Sequence, residues 1–130
     1  MIAPQQSAYD YIGGDAVIRQ LVDRFYDFMD TLPEAATIRA MHASDLTVSR
    51  DRLYWFMTGW LGGPQMFVER RGHPRLRARH LPFAIDTAAK DAWMLCMRRA
   101  VAEVVTIPDA NEYLIEPLER LADHMRNQPG

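Results

Sequence analysis

Apolar residues recur every three or four positions along most of the chain, which is the spacing of one face of an α-helix. Four long stretches carry this pattern, at about residues 18–29, 47–61, 86–105 and 114–125. No segment shows a convincing alternation of apolar and polar residues, as a half-buried strand would. The pattern therefore predicts an all-α fold with four sizeable helices.

Three shorter helices are predicted in the rest of the chain, at about residues 7–12, 33–41 and 74–80. Pro74 suits the first turn of the last of them, and Pro82 disfavours the helical conformation at Leu81. This short helix should therefore end close to His80. In the final long stretch, Pro117 fits only a kink or the first turn of a helix that starts late.

The composition is that of an ordinary globular domain. The 130 residues are 48% hydrophobic and 25% charged, so one domain is expected, with residues 1–9 and 127–130 as tails. A net charge of -2 gives no reason to expect nucleic acid as a partner. A single cysteine, Cys96, and the absence of a long apolar run or signal peptide favour a cytoplasmic protein without a membrane partner.

Residues 62–85 form an irregular connection rich in glycine, proline and arginine, and such connections in small domains are often functional. His80 lies in it, at the predicted end of the short helix. No second histidine, cysteine or carboxylate has zinc-site spacing around His80. A single imidazole suits a cofactor that brings four donors of its own, and haem is such a cofactor. The alternative is a partly buried histidine that caps a helix.

The arginines of this connection also have two interpretations. Haem carries two propionates, which pair well with guanidinium groups. The candidate partners are Arg75, Arg77, Arg79 and His73. The alternative for these side chains is a solvated basic face.

The apolar faces of the long helices leave room for a pocket with few polar groups. Trp93 and Tyr26 lie on or beside these faces, and a buried indole N–H or phenol requires a hydrogen-bond partner. Ser49, Leu53 and His42 are weaker candidates for the same pocket. Each residue also has an ordinary interpretation, with Trp93 in the core and the Tyr26 hydroxyl in solvent.

A longer pattern around these residues resembles the truncated haemoglobins, and within them group II. The similarity covers about residues 10–105 and is most specific in Gly72-His73-Pro74-Arg75-Leu76-Arg77-Ala78-Arg79-His80-Leu81-Pro82-Phe83. Shorter matches are Phe25-Tyr26, Gly62-Gly63-Pro64, Asp91-Ala92-Trp93 and Cys96-Met97. Trp93 favours group II over the other groups. The resemblance implies a shortened globin fold, in which two helices stack over two and enclose haem b.

The resemblance also implies roles for individual residues. His80 corresponds to the proximal ligand of the haem iron, and Tyr26 and Trp93 to the main hydrogen-bond donors on the distal side. Three further residues would face the distal side, of which the last two depart from the residues usual in the family: Leu53, His42 and Ser49. Seven further residues would contact haem: Arg79, His73, Leu76, Phe56, Phe83, Met97 and Phe67.

The implied function is reversible binding of O2, and of other diatomic ligands such as NO and CO. Hydrogen bonds to a charged acceptor contribute about 1.5–3 kcal/mol each, so two of them would slow ligand loss by roughly 10²- to 10⁴-fold. Such retention is compatible with oxygen transport and with NO dioxygenase or peroxidase-like chemistry served by an unknown reductase. A monomer or weak homodimer is expected. The alternative is a cofactor-free helical module that binds an acidic partner through the Arg-rich segment 70–79.

Overall fold

The long helices begin and end close to the positions that the hydrophobic pattern predicts. The computed structural model describes residues 6–130, and its helices are α1 (Ala8–Ile12), α2 (Gly14–Thr31), α3 (Ala36–Ala40), α4 (Thr47–Trp60), α5 (Met66–Arg71), α6 (Leu76–His80), α7 (Thr87–Val104) and α8 (Glu116–His124). A 3-10 turn at Pro33–Ala35 precedes α3, and a π-helical turn at Asn111–Ile115 precedes α8. No helix in the described part of the chain combines the length and the apolar character needed to cross a bilayer.

The helix α2 lies at the centre of the packing because its apolar face is completely covered. Ile18, Leu21, Val22 and Phe25 are 0% exposed and Met29 is 1% exposed. This helix packs against both α4 and α7, and α7 packs against α8. Two helix pairs, α2 with α4 and α7 with α8, therefore meet through α2 and α7, as the predicted two-over-two arrangement requires.

Local polar contacts explain where two of the helices begin. The Asp86 carboxylate caps α7 by accepting a hydrogen bond from the Ala89 backbone N–H at 2.8 Å. The Ser7 hydroxyl caps α1 in the same way, accepting from the Asp10 N–H at 3.1 Å. After α4, Gly62 has φ 95°, a left-handed conformation that favours glycine. Gly62 and Asp86 thus set the ends of α4 and α7, the two helices that flank the irregular connection.

The short helix before His80 is shorter than predicted. It begins at Leu76 and not at Pro74, because Arg75 has a left-handed backbone with φ 48° and ψ 51°, which an α-helix of L-residues does not contain. Its predicted end near His80 is confirmed. The helix α5 lies in the same connection and was not predicted. Pro117 lies in the first turn of α8, which is one of the two positions that the sequence allowed for it.

The ends of the chain have hydrogen-bond partners where they are described. Residues 1–5 of the predicted N-terminal tail lie outside the described residues, whereas Tyr9 in α1 donates its backbone N–H to the Leu61 carbonyl at 2.9 Å. In the predicted C-terminal tail, the Asn127 side chain accepts from the Ile85 N–H at 2.9 Å. The C-terminal residues thus brace the connection that precedes α7.

Replacing Asp86 with alanine should destabilise the folded protein by about 1 kcal/mol, because the Ala89 N–H at the start of α7 loses its acceptor. Urea unfolding followed by circular dichroism measures the change. Asp91→Ala is the matched control, since Asp91 is exposed on the same helix and caps nothing. Equal destabilisation by the two variants would contradict the capping role.

Candidate functional site

His80 ends α6 with a defined ring orientation. Its Nδ1 lies 2.6 Å from the carbonyl oxygen of Leu76, one turn earlier. A carbonyl can only accept a hydrogen bond, so Nδ1 carries the proton and Nε2 has a free lone pair. This tautomer is the one that binds a metal through Nε2. In the described part of the chain, no group of three His, Cys, Asp or Glu side chains could hold a metal ion.

The turn after His80 is held by the C-terminal segment. The Asn127 amide donates to the carbonyl of His80 at 3.3 Å and to the carbonyl of Phe83 at 2.8 Å. Pro82 prevents α6 from continuing. These contacts fix the backbone on which the imidazole is mounted.

Three of the predicted distal residues lie in one group of rings, here called the ring cluster: Phe25, Tyr26, His42 and Trp93. The Phe25 ring centroid is 4.9 Å from that of Tyr26 and 4.9 Å from that of Trp93. The Tyr26 and His42 rings are 5.9 Å apart. Because Phe25 is fully buried where α2 meets α7, the same packing brings Tyr26 of α2 and Trp93 of α7 together.

Tyr26 is a buried residue whose hydroxyl has no hydrogen-bond partner among the described residues. Tyr26 is 6% exposed, and neither its hydroxyl nor the indole N–H of half-buried Trp93 has a partner among the described residues. Every fully enclosed polar side-chain atom in that part of the chain does have a partner, so the Tyr26 oxygen borders a space that a small molecule can reach. Burial raises the pKa of Tyr26 while the charge of Arg50 acts against this rise, and the phenol stays protonated at neutral pH.

His42 and the other two distal candidates, Leu53 and Ser49, differ in their contacts. His42 has the same tautomer as His80, because its Nδ1 lies 2.8 Å from the Ile38 carbonyl. Leu53 of α4 packs against the core. Ser49 is half-buried one turn before Leu53, and its hydroxyl makes no hydrogen bond to the ring cluster in the described structure.

An open cleft of about 440 Å³ lies between α4, α6 and α8. Three predicted haem contacts line it: Phe56, His73 and Leu76. Three apolar residues that were not assigned a function from the sequence line it as well: Trp60, Leu121 and Met125. Their place on the apolar faces of the helices is the signal that could have identified them. The lining does not include His80, Tyr26 or Trp93. The cleft therefore contains some of the predicted apolar contacts with haem, but not the predicted iron ligand or the predicted distal donors.

The other predicted haem contacts lie in different environments. Arg79 is exposed and forms no ion pair with the described residues, and its guanidinium carbon lies 5.2 Å from the ring centroid of buried Phe67. His73 is exposed and accepts a backbone hydrogen bond at 3.1 Å through Nδ1. Phe83 is 42% exposed, whereas Met97 is fully enclosed in the core. Arg79 directly follows Ala78, which lines the cleft, and an apolar cleft next to a residue with an unpaired guanidinium fits a flat, apolar group that carries carboxylates.

Two further arginines of segment 70–79 contact the chain itself. The Arg70 guanidinium lies 4.9 Å from the ring centroid of Trp55. Arg77 donates to the backbone carbonyls of His124 and Arg126, at 2.7 and 3.0 Å. Part of the Arg-rich segment 70–79 is therefore engaged in contacts within the chain and is not available to bind a partner.

Comparison with known proteins identifies the family. Residues 7–127 match the family model of the bacterial-like globins. The chain is 41% identical over 115 residues to the group 2 truncated hemoglobin YjbI of Bacillus subtilis (strain 168), covering 88% of this chain and 85% of that protein. It is similar to the solved group II 2-on-2 hemoglobin from the plant pathogen Agrobacterium tumefaciens, with a TM-score of 0.93 and 48% identity over 98% of this chain and 99% of that one. It is also similar to the truncated oxygen-avid haemoglobin from Bacillus subtilis, with a TM-score of 0.86 and 39% identity over 94% and 100% of the two chains.

The chain belongs to the bacterial-like globin family. It is a group II truncated haemoglobin, so the resemblance stated from the sequence and the two-over-two fold are both confirmed. The cofactor of this globin is haem b, and its ligands are small diatomic molecules such as O2. The alternative of a cofactor-free module that binds an acidic partner receives no support from these similarities.

Tyr26 of this globin should remain protonated at about pH 11, roughly one unit above the ordinary pKa of tyrosine, because burial disfavours the phenolate. Ultraviolet tyrosinate absorbance measures this, and the folded wild type and Tyr26→Phe should release equal numbers of phenolic protons up to that pH. In urea, where the burial is lost, the wild type should release one proton more. An extra proton released by the folded wild type would show that Tyr26 is accessible to bulk water.

Proposed function

We propose that this globin retains diatomic ligands such as O2, NO and CO at a haem iron ligated by His80, through hydrogen bonds from Tyr26 and Trp93. The observation that carries the proposal is the ring cluster. In it, the Phe25 ring centroid lies 4.9 Å from those of both Tyr26 and Trp93, so two side chains whose donors have no partner among the described residues pack on one ring. One proton donor comes from each of two different helices.

His80 supplies the contact on the proximal side. The hydrogen bond from its Nδ1 to the Leu76 carbonyl fixes the orientation of the imidazole ring and leaves Nε2 as the ligand atom. Haem, when bound, would supply the iron that His80 ligates and that binds the diatomic ligand. Because Asn127 and Pro82 fix the turn that follows, the imidazole is positioned by the backbone rather than by a flexible loop.

Tyr26 and Trp93 act as donors on the distal side. Neither donor has to break a hydrogen bond to a described residue before it binds the ligand. Most of the free energy of the new hydrogen bond therefore stabilises the bound ligand. A hydrogen bond to a charged acceptor contributes about 1.5–3 kcal/mol, and two such bonds slow ligand loss by roughly 10²- to 10⁴-fold. The similarity to a haemoglobin described as oxygen-avid supports retention as the property of this site.

The remaining predicted residues fit the edges and faces of the cofactor. Phe56 and Leu76 supply apolar walls of the cleft. Arg79, which has no ion pair within the described residues, and His73 supply groups for the propionates. Apolar contacts are assigned to Leu53, Phe67, Phe83 and Met97. Ser49 and His42 are assigned to the distal side, where the free Nε2 of His42 is a hydrogen-bond acceptor.

Replacing His80 with glycine should abolish proximal coordination, and added imidazole should restore it by filling the space of the deleted ring. The visible absorption spectrum of the haem-loaded protein measures both effects. His124→Gln, which removes another imidazole but keeps a polar side chain of similar length at the lining of the cleft, is the matched control and should keep the wild-type spectrum. A wild-type spectrum in His80→Gly without imidazole would assign the iron to a different ligand.

Replacing Trp93 with phenylalanine should raise the O2 dissociation rate at least about tenfold, the equivalent of one charge-assisted hydrogen bond. Phenylalanine keeps an aromatic ring against Phe25 but removes the N–H donor together with the rest of the five-membered ring. Stopped-flow displacement of O2 measures the rate. Trp55→Phe is the control, since Trp55 lies on α4 against Arg70 and outside the ring cluster. An unchanged rate in Trp93→Phe would remove Trp93 from the donor role.

A further inference from the structure

Arg50 joins α4 to α2 across the ring of Tyr26. Its Nη1 donates to the backbone carbonyl of Asp23 at 2.9 Å and to Asp23 Oδ1 at 3.2 Å, and its Nη2 donates to Asp27 Oδ1 at 2.9 Å. The guanidinium carbon lies 5.8 Å from the centroid of the Tyr26 ring. The Arg50 side chain is therefore hydrogen-bonded to the helical turn that carries Tyr26 and also lies against the Tyr26 ring.

We propose that Arg50 is a positioning residue for the Tyr26 hydroxyl, and that it thereby sets how fast this globin loses a diatomic ligand. The inference rests on the proposed function, in which Tyr26 donates a hydrogen bond to the ligand. Arg50 acts through Tyr26 and is assigned no contact with the ligand or with haem.

The two carboxylates that hold Arg50 bracket Tyr26 along α2, three residues before it and one residue after it. The Arg50 side chain is 25% exposed, against 45% for Asp23 and 44% for Asp27, so the guanidinium is the more enclosed partner. A planar guanidinium can bind two carboxylates and a carbonyl in fixed directions, which an ammonium on a flexible stem cannot. Any shift of α4 relative to the turn that carries Tyr26 therefore breaks several hydrogen bonds at once.

The contact continues to α7, the helix that carries Trp93. Asp27 Oδ2 accepts from Arg24 at 3.2 Å, and Arg24 binds Glu103 of α7 through hydrogen bonds of 2.6 and 3.1 Å. A continuous chain of charges thus runs from Arg50 through Asp27 and Arg24 to Glu103. Partly exposed ion pairs of this kind contribute little to global stability, so the effect of the chain is expected in the relative placement of the two donors.

The charge of Arg50 acts on the phenol directly as well. Burial raises the pKa of Tyr26, and the guanidinium opposes that rise. A positive charge beside the ring favours the electron density that moves onto the phenolic oxygen when its proton is shared. Arg50 therefore strengthens Tyr26 as a donor in addition to fixing its place.

The experiment compares Arg50→Met and Arg50→Lys in the haem-loaded protein. Arg50→Met keeps the length of the side chain and removes its charge and hydrogen bonds, so the O2 dissociation rate should rise by roughly three- to tenfold, less than the loss of a whole charge-assisted bond. Arg50→Lys restores the charge without the geometry and should recover only part of the effect. The C–O stretching frequency of the protein saturated with carbon monoxide should shift in Arg50→Met in the direction seen in Tyr26→Phe.

Arg39→Met is the matched control for removal of a clamping arginine. Arg39 is 22% exposed, binds the Asp30 carboxylate at 2.8 Å and donates to the carbonyls of Ala43 and Ser44 at 2.9 and 2.8 Å. It resembles Arg50 in these contacts but does not lie on Tyr26. Its removal should leave the dissociation rate and the C–O stretching frequency unchanged, and equal effects of the two variants would overturn the proposal.

A double-mutant cycle decides whether Arg50 acts through Tyr26. In a Tyr26→Phe background, Arg50→Met should add nothing to the dissociation rate. The same increase in both backgrounds, or no increase in the wild-type background, would overturn the inference and leave the proposed function standing. If Tyr26→Phe alone leaves the rate unchanged, the donor role of Tyr26 fails, and the role of Arg50 fails with it.

Discussion

The packing of Phe25 between α2 and α7 is the contact on which both the fold and the site depend. The ring is fully buried, and truncation of a buried phenylalanine typically costs about 3–5 kcal/mol. Neighbouring residues on a helix point about 100° apart, so an inward Phe25 leaves Tyr26 at the edge of the apolar face, toward α4. The Trp93 ring of α7 packs against the same phenyl ring, with the two centroids 4.9 Å apart. A contact that stabilises the hydrophobic core thus also brings the two proposed hydrogen-bond donors, from different helices, against one ring.

The proximal side depends on backbone geometry rather than on core packing. The helix α6 has only five residues, too few to be stable alone. The left-handed residue Arg75 begins it, Pro82 follows its end, and Asn127 holds the next turn from the C-terminal segment. His80 is therefore placed by contacts distant in sequence, although the hydrogen bond that orients its ring is local.

Much of this could be predicted from the sequence because it is local or periodic. The apolar faces of α2, α4 and α7 follow from residue spacing, and the end of α6 at His80 follows from Pro82 two residues later. The left-handed backbone of Arg75 could not be predicted, since arginine has no intrinsic preference for it. The helix α5 was not predicted because its six residues are too few to show a helical repeat of apolar positions, and the glycines and prolines on both sides indicate a loop. The clamp of Arg50 on Asp23 and Asp27 joins residues more than twenty positions apart, and no periodicity connects charged side chains on different helices.

His42 and His80 show why residue chemistry alone does not assign a role in this site. Each donates Nδ1–H to the carbonyl four residues earlier, at 2.8 and 2.6 Å, and each keeps a free lone pair on Nε2. Their neighbours differ. His42 lies against the Tyr26 ring, whose hydroxyl is a donor, whereas His80 is followed by exposed Leu81 and Phe83 beside the unpaired guanidinium of Arg79. A lone pair next to a phenol is suited to accept a hydrogen bond, and a lone pair beside exposed apolar side chains and an unpaired cation suits a metal held in an anionic macrocycle. The same tautomer therefore fits both proposed roles, the distal one for His42 and the proximal one for His80, and the neighbours of each imidazole distinguish them.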